Sequence, residues 1–275
     1  MKKRINPLIY VFLIVGILLI FIPLYLTVIT AFKTQGEITE NFFALPSSLY
    51  LGNFKAILED SEYPRTVFNT LYITILSSVG VLLIVPMVSY AIARNMERKR
   101  YYKFLYFFLL IGIFVPFQVK MLPLVKVMSS LGMMNITGIS IVYMASSVCE
   151  GVFLYVAFIL GIPSDLEEAA YIDGASTFKT YTKVVFPLLS PMTATVLIKN
   201  GLWFWNDFFL PQLVLNKTKE NWTLTLFQYN FKTQLFVDYT KTFTAFILSM
   251  LPVMVVYVFL QKKIIGGLTN GAVKG

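Results

Sequence analysis

The chain has 275 residues, of which 57% are hydrophobic, 16% aromatic and only 13% charged, and its net charge is +9. Soluble domains carry about 25% charged residues, so half the usual charge is missing, and long apolar runs alternate with short Lys and Arg clusters. That pattern excludes a disordered chain, a nucleic-acid-binding domain and a disulfide-stapled secreted module, and indicates a polytopic membrane protein.

Hydropathy gives six candidate spans, at 8–31, 68–93, 104–117 (extending either way), 139–160, 188–207 and 243–260. Each meets or approaches the roughly 20 residues a bilayer requires. The expected fold is all-α, with six transmembrane helices. The first span follows Met1-Lys2-Lys3-Arg4, but its apolar run is too long for a secretory signal and no small-residue cleavage site follows, so it reads as a retained anchor. With the N-terminus inside, basic residues are about twice as dense in the inner segments as in the outer ones. The cluster from Arg94 to Lys103 weighs most. Both termini are expected in the cytoplasm.

The counts also remove most chemistry. There is no His, the commonest general base and metal ligand. The single Cys149 lies in an apolar stretch, so no disulfide or zinc cluster can form within the chain. No Gly precedes a Lys, so the P-loop that cradles nucleotide phosphates is missing. No enzymatic activity, metal or cofactor is expected.

Two outward connections, 34–65 and 211–242, are too long for simple turns and carry mixed aromatic, polar and charged residues; connections of that length are usually functional or disordered. The inward connection 161–187 is more readable. Ser164 followed by Glu167 predicts a capping box at a helix start. Asp165, Glu167 and Glu168 place negative charge on the first turn, where the macrodipole favours it. Gly174 is suited to end the helix in the left-handed conformation. The spacing predicts a helix over 165–173, with Leu166, Ala170 and Asp173 on one face and Ala169 beside them. A second helix is expected from Thr177 towards Phe186 and Pro187.

Ionisable groups inside the membrane are costly and are functional candidates by default. Glu150 in the fourth span and Lys199 in the fifth both fall roughly 15 Å from the cytoplasmic ends of their helices. An ion pair between them is geometrically possible; each facing water separately is the alternative. Lys199, Trp203 and Asn206 are spaced for one helix face, as are Asn200, Trp203 and Asp207. Aromatic rings beside amides suit a path for sugars, and a helix–helix interface is the plainer alternative.

The order Glu168-Ala169-Ala170, three residues, Gly174, nine residues, then Val184-Val185-Phe186-Pro187 resembles the EAA loop of permease subunits of ABC importers. Val184 and Phe186 stand where the family pattern has Ile and Leu. Trp205-Asn206-Asp207-Phe208-Phe209-Leu210-Pro211 and the ending from Gly266 to Gly275 are similar to the carbohydrate-importing branch, nearest its MalG-like subunits. The resemblance implies an ABC type I importer permease fold, with an anchor helix and outer loop at 1–65. A core transmembrane domain at 66–265 would carry the coupling loop 161–187, and a cytoplasmic tail would occupy 266–275. It implies that Glu167, Glu168, Ala169, Ala170, Asp173 and Gly174 couple to an ATPase. The implied partners are a second permease subunit, two ATP-binding subunits and an extracytoplasmic sugar-binding protein. The binding protein would meet the outer loop, at Asn221, Trp222, Gln228, Asn230 and Lys232. Asn69 resembles a recurrent family position. An ion-gradient-driven secondary transporter with Glu150 as its coupling site is the alternative from another class. The EAA loop and the lack of broken-helix repeats in corresponding halves speak against it.

Overall fold

In the computed structural model the described residues are 7–231 and 237–272, with the backbone alone for Pro7 and 259–272. Lys2, Lys3, Arg4, Lys274 and the contact candidate Lys232 lie outside the described residues. In chain order the elements are α1 (Pro7–Ala31), α2 (Gln35–Glu40), α3 (Gly52–Leu58), α4 (Tyr63–Asn95), α5 (Arg100–Ile113), α6 (Phe117–Ser130) and α7 (Ile136–Leu160). They continue with α8 (Asp165–Ile172), α9 (Thr177–Thr180), a π turn (Tyr181–Val185), α10 (Phe186–Leu188) and α11 (Ser190–Asn206). The rest are α12 (Phe209–Val214), a 3₁₀ turn (Lys219–Asn221), α13 (Leu224–Tyr229) and α14 (Tyr239–Ala272). The expected all-α fold is present.

Four helices, α1, α4, α7 and α14, are each long and apolar enough to cross a bilayer. The third and fifth expected spans differ from straight rods. Arg100–Ile113 and Phe117–Ser130 meet at 105°, and Thr177–Leu188 and Ser190–Asn206 meet at 73°; counted as one span each, these bent pairs complete the six. Proline explains both breaks. Pro116 sits extended at φ −60 and ψ 146 as the cap before α6, and a residue preceding proline is pushed out of the helical region. Pro191 occupies the first turn of α11, where its missing N–H costs nothing but where no helix can run through from α10 undisturbed. The second helix expected in the inner connection is present, with the π turn set inside it.

The chain divides into two compact units, Met1–Arg65 with Leu224–Val255, and Thr66–Thr223 with Val256–Gly275. In the first, Ile57, Phe227 and Ala245 form a buried cluster against which Tyr63, Phe231 and Leu248 pack. The end of α1 is tied down by polar groups. Lys33 is 1% exposed and donates through Nζ to the carbonyls of Asn41 at 2.9 Å and Phe42 at 3.1 Å. Asn53 Nδ2 donates to the carbonyls of Ala31 at 2.9 Å and Lys33 at 2.7 Å, satisfying two acceptors that a helix end leaves open.

In the second unit α7 runs against α5 and α11. A Cβ at Gly151 would fall 2.6 Å from Val85 Cγ1, so only glycine permits that approach of α7 to α4, as small residues do between membrane helices. Ser77 Oγ donates to the Ser140 carbonyl at 3.3 Å, and Tyr155 Oη donates to Thr193 Oγ1 at 2.9 Å. These bonds set α4, α7 and α11 around the candidate site.

A capping box forms at Thr34. Its hydroxyl accepts from the Glu37 amide at 3.4 Å, while the Glu37 carboxylate accepts from the Thr34 amide at 2.8 Å. The same carboxylate takes the Ser47 hydroxyl and, at 2.8 Å, the Ser47 amide. The Ser47 hydroxyl first, then the Thr34 and Ser47 amides, hold the Glu37 carboxyl down from 4.5 to about 2. A carboxyl lowered by folding contributes fully above its unfolded pKa and loses that contribution as pH falls through the folded one. Hydrogen exchange at the Thr34 and Ser47 amides, corrected for intrinsic rate, should stay protected down to about 4.5 and lose protection towards about 2. Glu37→Ala, which removes the acceptor, should show the unprotected rate throughout.

Candidate functional site

The membrane site is built where α7 passes the end of α11. Tyr143 on α7 is 1% exposed; its ring stacks on Phe204 at 5.0 Å and meets Trp203 at 5.2 Å. Tyr143 Oη donates to Asp207 Oδ2 at 2.7 Å. Asp207 ends α11, and its other oxygen accepts from the Phe209 amide at 3.2 Å, which starts α12. A cleft of about 200 Å³ opens beside this group, lined by Phe117, Gln118, Lys120, Tyr143, Trp203 and Asp207 among others. One rim is therefore supplied by the break before α6.

Two turns along the same pair of helices, roughly 10 Å, Lys199 Nζ donates to Glu150 Oε2. Both side chains are about half exposed, at 52% and 42%. The ion pair joins α7 to α11. Among the described residues no acidic or Cys side chains gather into a group able to hold a metal.

The structure sorts the polar stripe of α11 into two faces. Lys199, Trp203 and Asn206 are exposed together, with Trp203 at 39%. Asn200, at 5%, turns inward with Val196 and Phe204. Asp207 is half-buried and already holds Tyr143. Sequence reasoning missed Tyr143, Gln118, Lys120 and Ser146. For α7 a signal existed, because Tyr143, Ser146 and Glu150 are spaced three and four apart on one helix face. For Lys120 none did, since the 105° bend that brings it to the cleft is invisible in hydropathy.

At the inner connection, α8 runs from Asp165 to Ile172, close to the expected 165–173. Its end is as expected. Gly174 has φ 76, its amide donates to the Tyr171 carbonyl at 3.0 Å, and the Ala175 amide reaches the Ala170 carbonyl at 2.9 Å; these two bonds make a Schellman motif. The start is not. Ser164 has φ −65 and ψ −26, with no side-chain cap bond, so the capping box expected with Glu167 is absent. The Glu167 carboxylate is taken elsewhere: Oε1 accepts from Arg94 Nε at 2.7 Å and Oε2 accepts from Tyr90 Oη at 2.7 Å. Glu167 is buried at 5%, whereas Leu166 and Ile172 are exposed at 46% and 86%. Glu168, Ala169, Asp173 and Gly174 are also exposed, and Ala170 is half-buried.

In the outer segment, Asn69 Nδ2 donates to the carbonyls of Glu220 and Trp222, both at 2.9 Å, pinning the turn that precedes Thr223. Asn221 bonds Thr218, and Lys219 Nζ stands 5.7 Å over the Trp222 ring. Asn230 is exposed and bonds the Leu226 carbonyl. Gln228 is 8% exposed and its amide nitrogen donates to the Ala245 carbonyl at 3.2 Å, so little of it is open to a partner.

Residues 86–268 match the family described as "Binding-protein-dependent transport system inner membrane component". The chain is 47% identical over 266 residues, 96% of each chain, to the multiple sugar-binding transport system permease protein MsmG of Streptococcus mutans. It is 34% identical over 257 residues to the melibiose/raffinose/stachyose import permease protein MelC of Bacillus subtilis, covering 93% of this chain and 92% of that one. A chain in the crystal structure of a bacterial ABC transporter that imports the acidic polysaccharide alginate has a TM-score of 0.82, at 22% identity over 93% of this chain and 94% of that chain. That likeness establishes the shared fold.

The ion pair can be weighed by a double-mutant cycle on complex yield and thermal stability. Glu150→Gln and Lys199→Met should each lower both quantities, and the double change should recover part of the loss, with a coupling of about 1 kcal/mol. Additive losses would contradict the pairing.

Proposed function

We propose, because this chain belongs to the binding-protein-dependent transport system inner membrane components, that it is one of two permeases in an ATP-driven importer of oligosaccharides. Family membership makes it a multi-pass transport subunit and not an enzyme. The sugar reading rests on one observation above the others, the 47% identity over 96% of each chain to a permease named for multiple sugars. The geometry agrees with that reading. An aromatic ring half open to the cleft, beside a carboxylate and amides, offers a CH-stacking surface and hydrogen bonds to hydroxyls.

In this reading Glu150, Lys199, Trp203, Asn206 and Asp207 line the translocation path, with Asn200 behind them. A second permease closes the path from the other side. Two ATP-binding subunits dock on the cytoplasmic side and hydrolyse ATP, meeting α8 through Glu168, Ala169, Ala170, Asp173 and the Gly174 turn. An extracytoplasmic sugar-binding protein meets the outer segment at Asn221, Trp222 and Asn230. Both termini are cytoplasmic. Residues 1–65 serve as anchor and outer loop, 66–265 as the core with the coupling loop 161–187, and 266–275 as the tail. An ion-gradient mechanism with Glu150 as its coupling site finds no support in Glu150's own contacts, since Lys199 holds its carboxylate.

The coupling part is tested in the complex purified through a tag on this chain and placed in lipid vesicles. Glu168→Lys reverses a charge on the exposed face of α8, and Gly174→Leu strains a backbone held at φ 76 by roughly 1–2 kcal/mol. Both should leave insertion intact and separate sugar uptake from ATP hydrolysis. Unchanged sugar-stimulated hydrolysis in both variants would overturn the assignment.

A further inference from the structure

The Glu167 carboxylate is the most deeply buried charge on the inner connection, and all of its observed partners belong to α4. Arg94 approaches Oε1 through Nε and through Nη2, each at 2.7 Å, while Tyr90 donates to Oε2. Arg94 Nη2 also donates to the Ile162 carbonyl at 3.0 Å, so one guanidinium holds the connection both before and within α8. The side chains of Arg94 and Glu167 are 20% and 7% exposed. The guanidinium holds one carboxylate oxygen and the Tyr90 hydroxyl the other, so the carboxylate is fixed in orientation as well as in distance. The Tyr90 ring packs on Tyr181 at 5.3 Å, and Tyr181 on Phe186 at 5.8 Å, so the π turn that follows α9 rests on the same residue.

The consequence lies in what is turned outward. With Glu167 locked inward, its neighbours Leu166 and Glu168 are exposed, about 100° to either side around the helix. Rotating α8 to bring its outer face elsewhere would have to expose or orphan Glu167 and Arg94. Removing one member of a buried ion pair leaves the other charge uncompensated.

We propose that Tyr90, Arg94 and Glu167 are positioning residues that fasten α8 to the inner end of α4, so that the helix presented to the ATP-binding subunits turns only when α4 turns. This rests on the reading of α8 as the coupling helix. It assigns Glu167 to the clamp inside this subunit, leaving Glu168 and its exposed neighbours to meet the partner. The clamp makes α8 an extension of a membrane helix; a hinged loop would let ATP-driven movement dissipate.

The experiment uses the tagged complex with its ATP-binding subunits and binding protein in vesicles, with labelled raffinose as the probe. Raffinose taken up and phosphate released are measured on the same vesicles, at matched complex yield. Tyr90→Phe keeps the ion pair and removes one hydroxyl; raffinose moved per ATP should fall about tenfold, as for one lost hydrogen bond to a charged group. Glu167→Gln should lower it further, Arg94→Lys should fall between, and Glu167→Gln with Arg94→Gln should be no worse than the worse single change. A merely structural role would lower complex yield and leave the ratio alone. If Glu167→Gln prevents assembly, Tyr90→Phe decides. An unchanged ratio in Tyr90→Phe overturns the clamp when Glu168→Lys lowers the ratio in parallel. An unchanged ratio in Glu168→Lys overturns the coupling reading and the clamp with it.

Discussion

A chain crossing a bilayer has no water to satisfy its peptide groups, so inside the membrane it is helical unless protein supplies the missing partners. The cleft lies where that constraint is relaxed. α5 stops before Pro116, α10 gives way to α11 at Ser190 and Pro191, and α11 ends at Asp207. At the last of these the Asp207 carboxylate receives the Phe209 amide and, from the other side, the Tyr143 hydroxyl. The carboxylate thus repairs the helix break and forms one wall of the cleft. The break before α6 supplies the opposite rim with Phe117, Gln118 and Lys120. Cleft and helix interruption have one cause.

The same logic extends along α4. Between Asn69 and Arg94 this helix runs roughly 37 Å without interruption, although Pro86 lies within it. At one end Asn69 holds two carbonyls of the turn around Glu220 and Trp222, and at the other Tyr90 and Arg94 hold Glu167. These attachments are polar and buried or half-buried, where a lost partner costs more than a lost surface contact. One continuous span thus carries specific polar attachments at both of its ends.

Much of this was legible in the sequence. Six spans, the short inner helix, its Gly174 terminus and the Lys199–Trp203–Asn206 face all follow from period and residue type, because helix geometry alone decides them. What escaped depended on tertiary competition. Ser164 with Glu167 and Thr34 with Glu37 carry the same four-residue signature, yet only the second forms a capping box. Arg94 and Tyr90 outbid a serine amide for Glu167, whereas Glu37 had no such cation beside it and gathered Ser47 instead. Asn200 and Lys199 are adjacent in sequence and lie on opposite sides of the burial boundary, which hydropathy cannot locate on a helix polar on more than one side. Gln228 looked like surface because glutamine usually is; its burial follows from the Ala245 carbonyl it satisfies.

On α11, Lys199, Trp203 and Asn206 are exposed, while Val196, Asn200 and Phe204 are closed in by protein. With Cys149 changed to Ala, single cysteines along α11 in the assembled transporter can be challenged with a charged thiol reagent. Cysteines at Lys199, Trp203 and Asn206 should react. Cysteines at Val196, Asn200 and Phe204, which are all buried, should stay unreactive. Equal reactivity on both faces, or silence at Trp203 and Asn206 in every state of the transport cycle, would contradict a path along this helix.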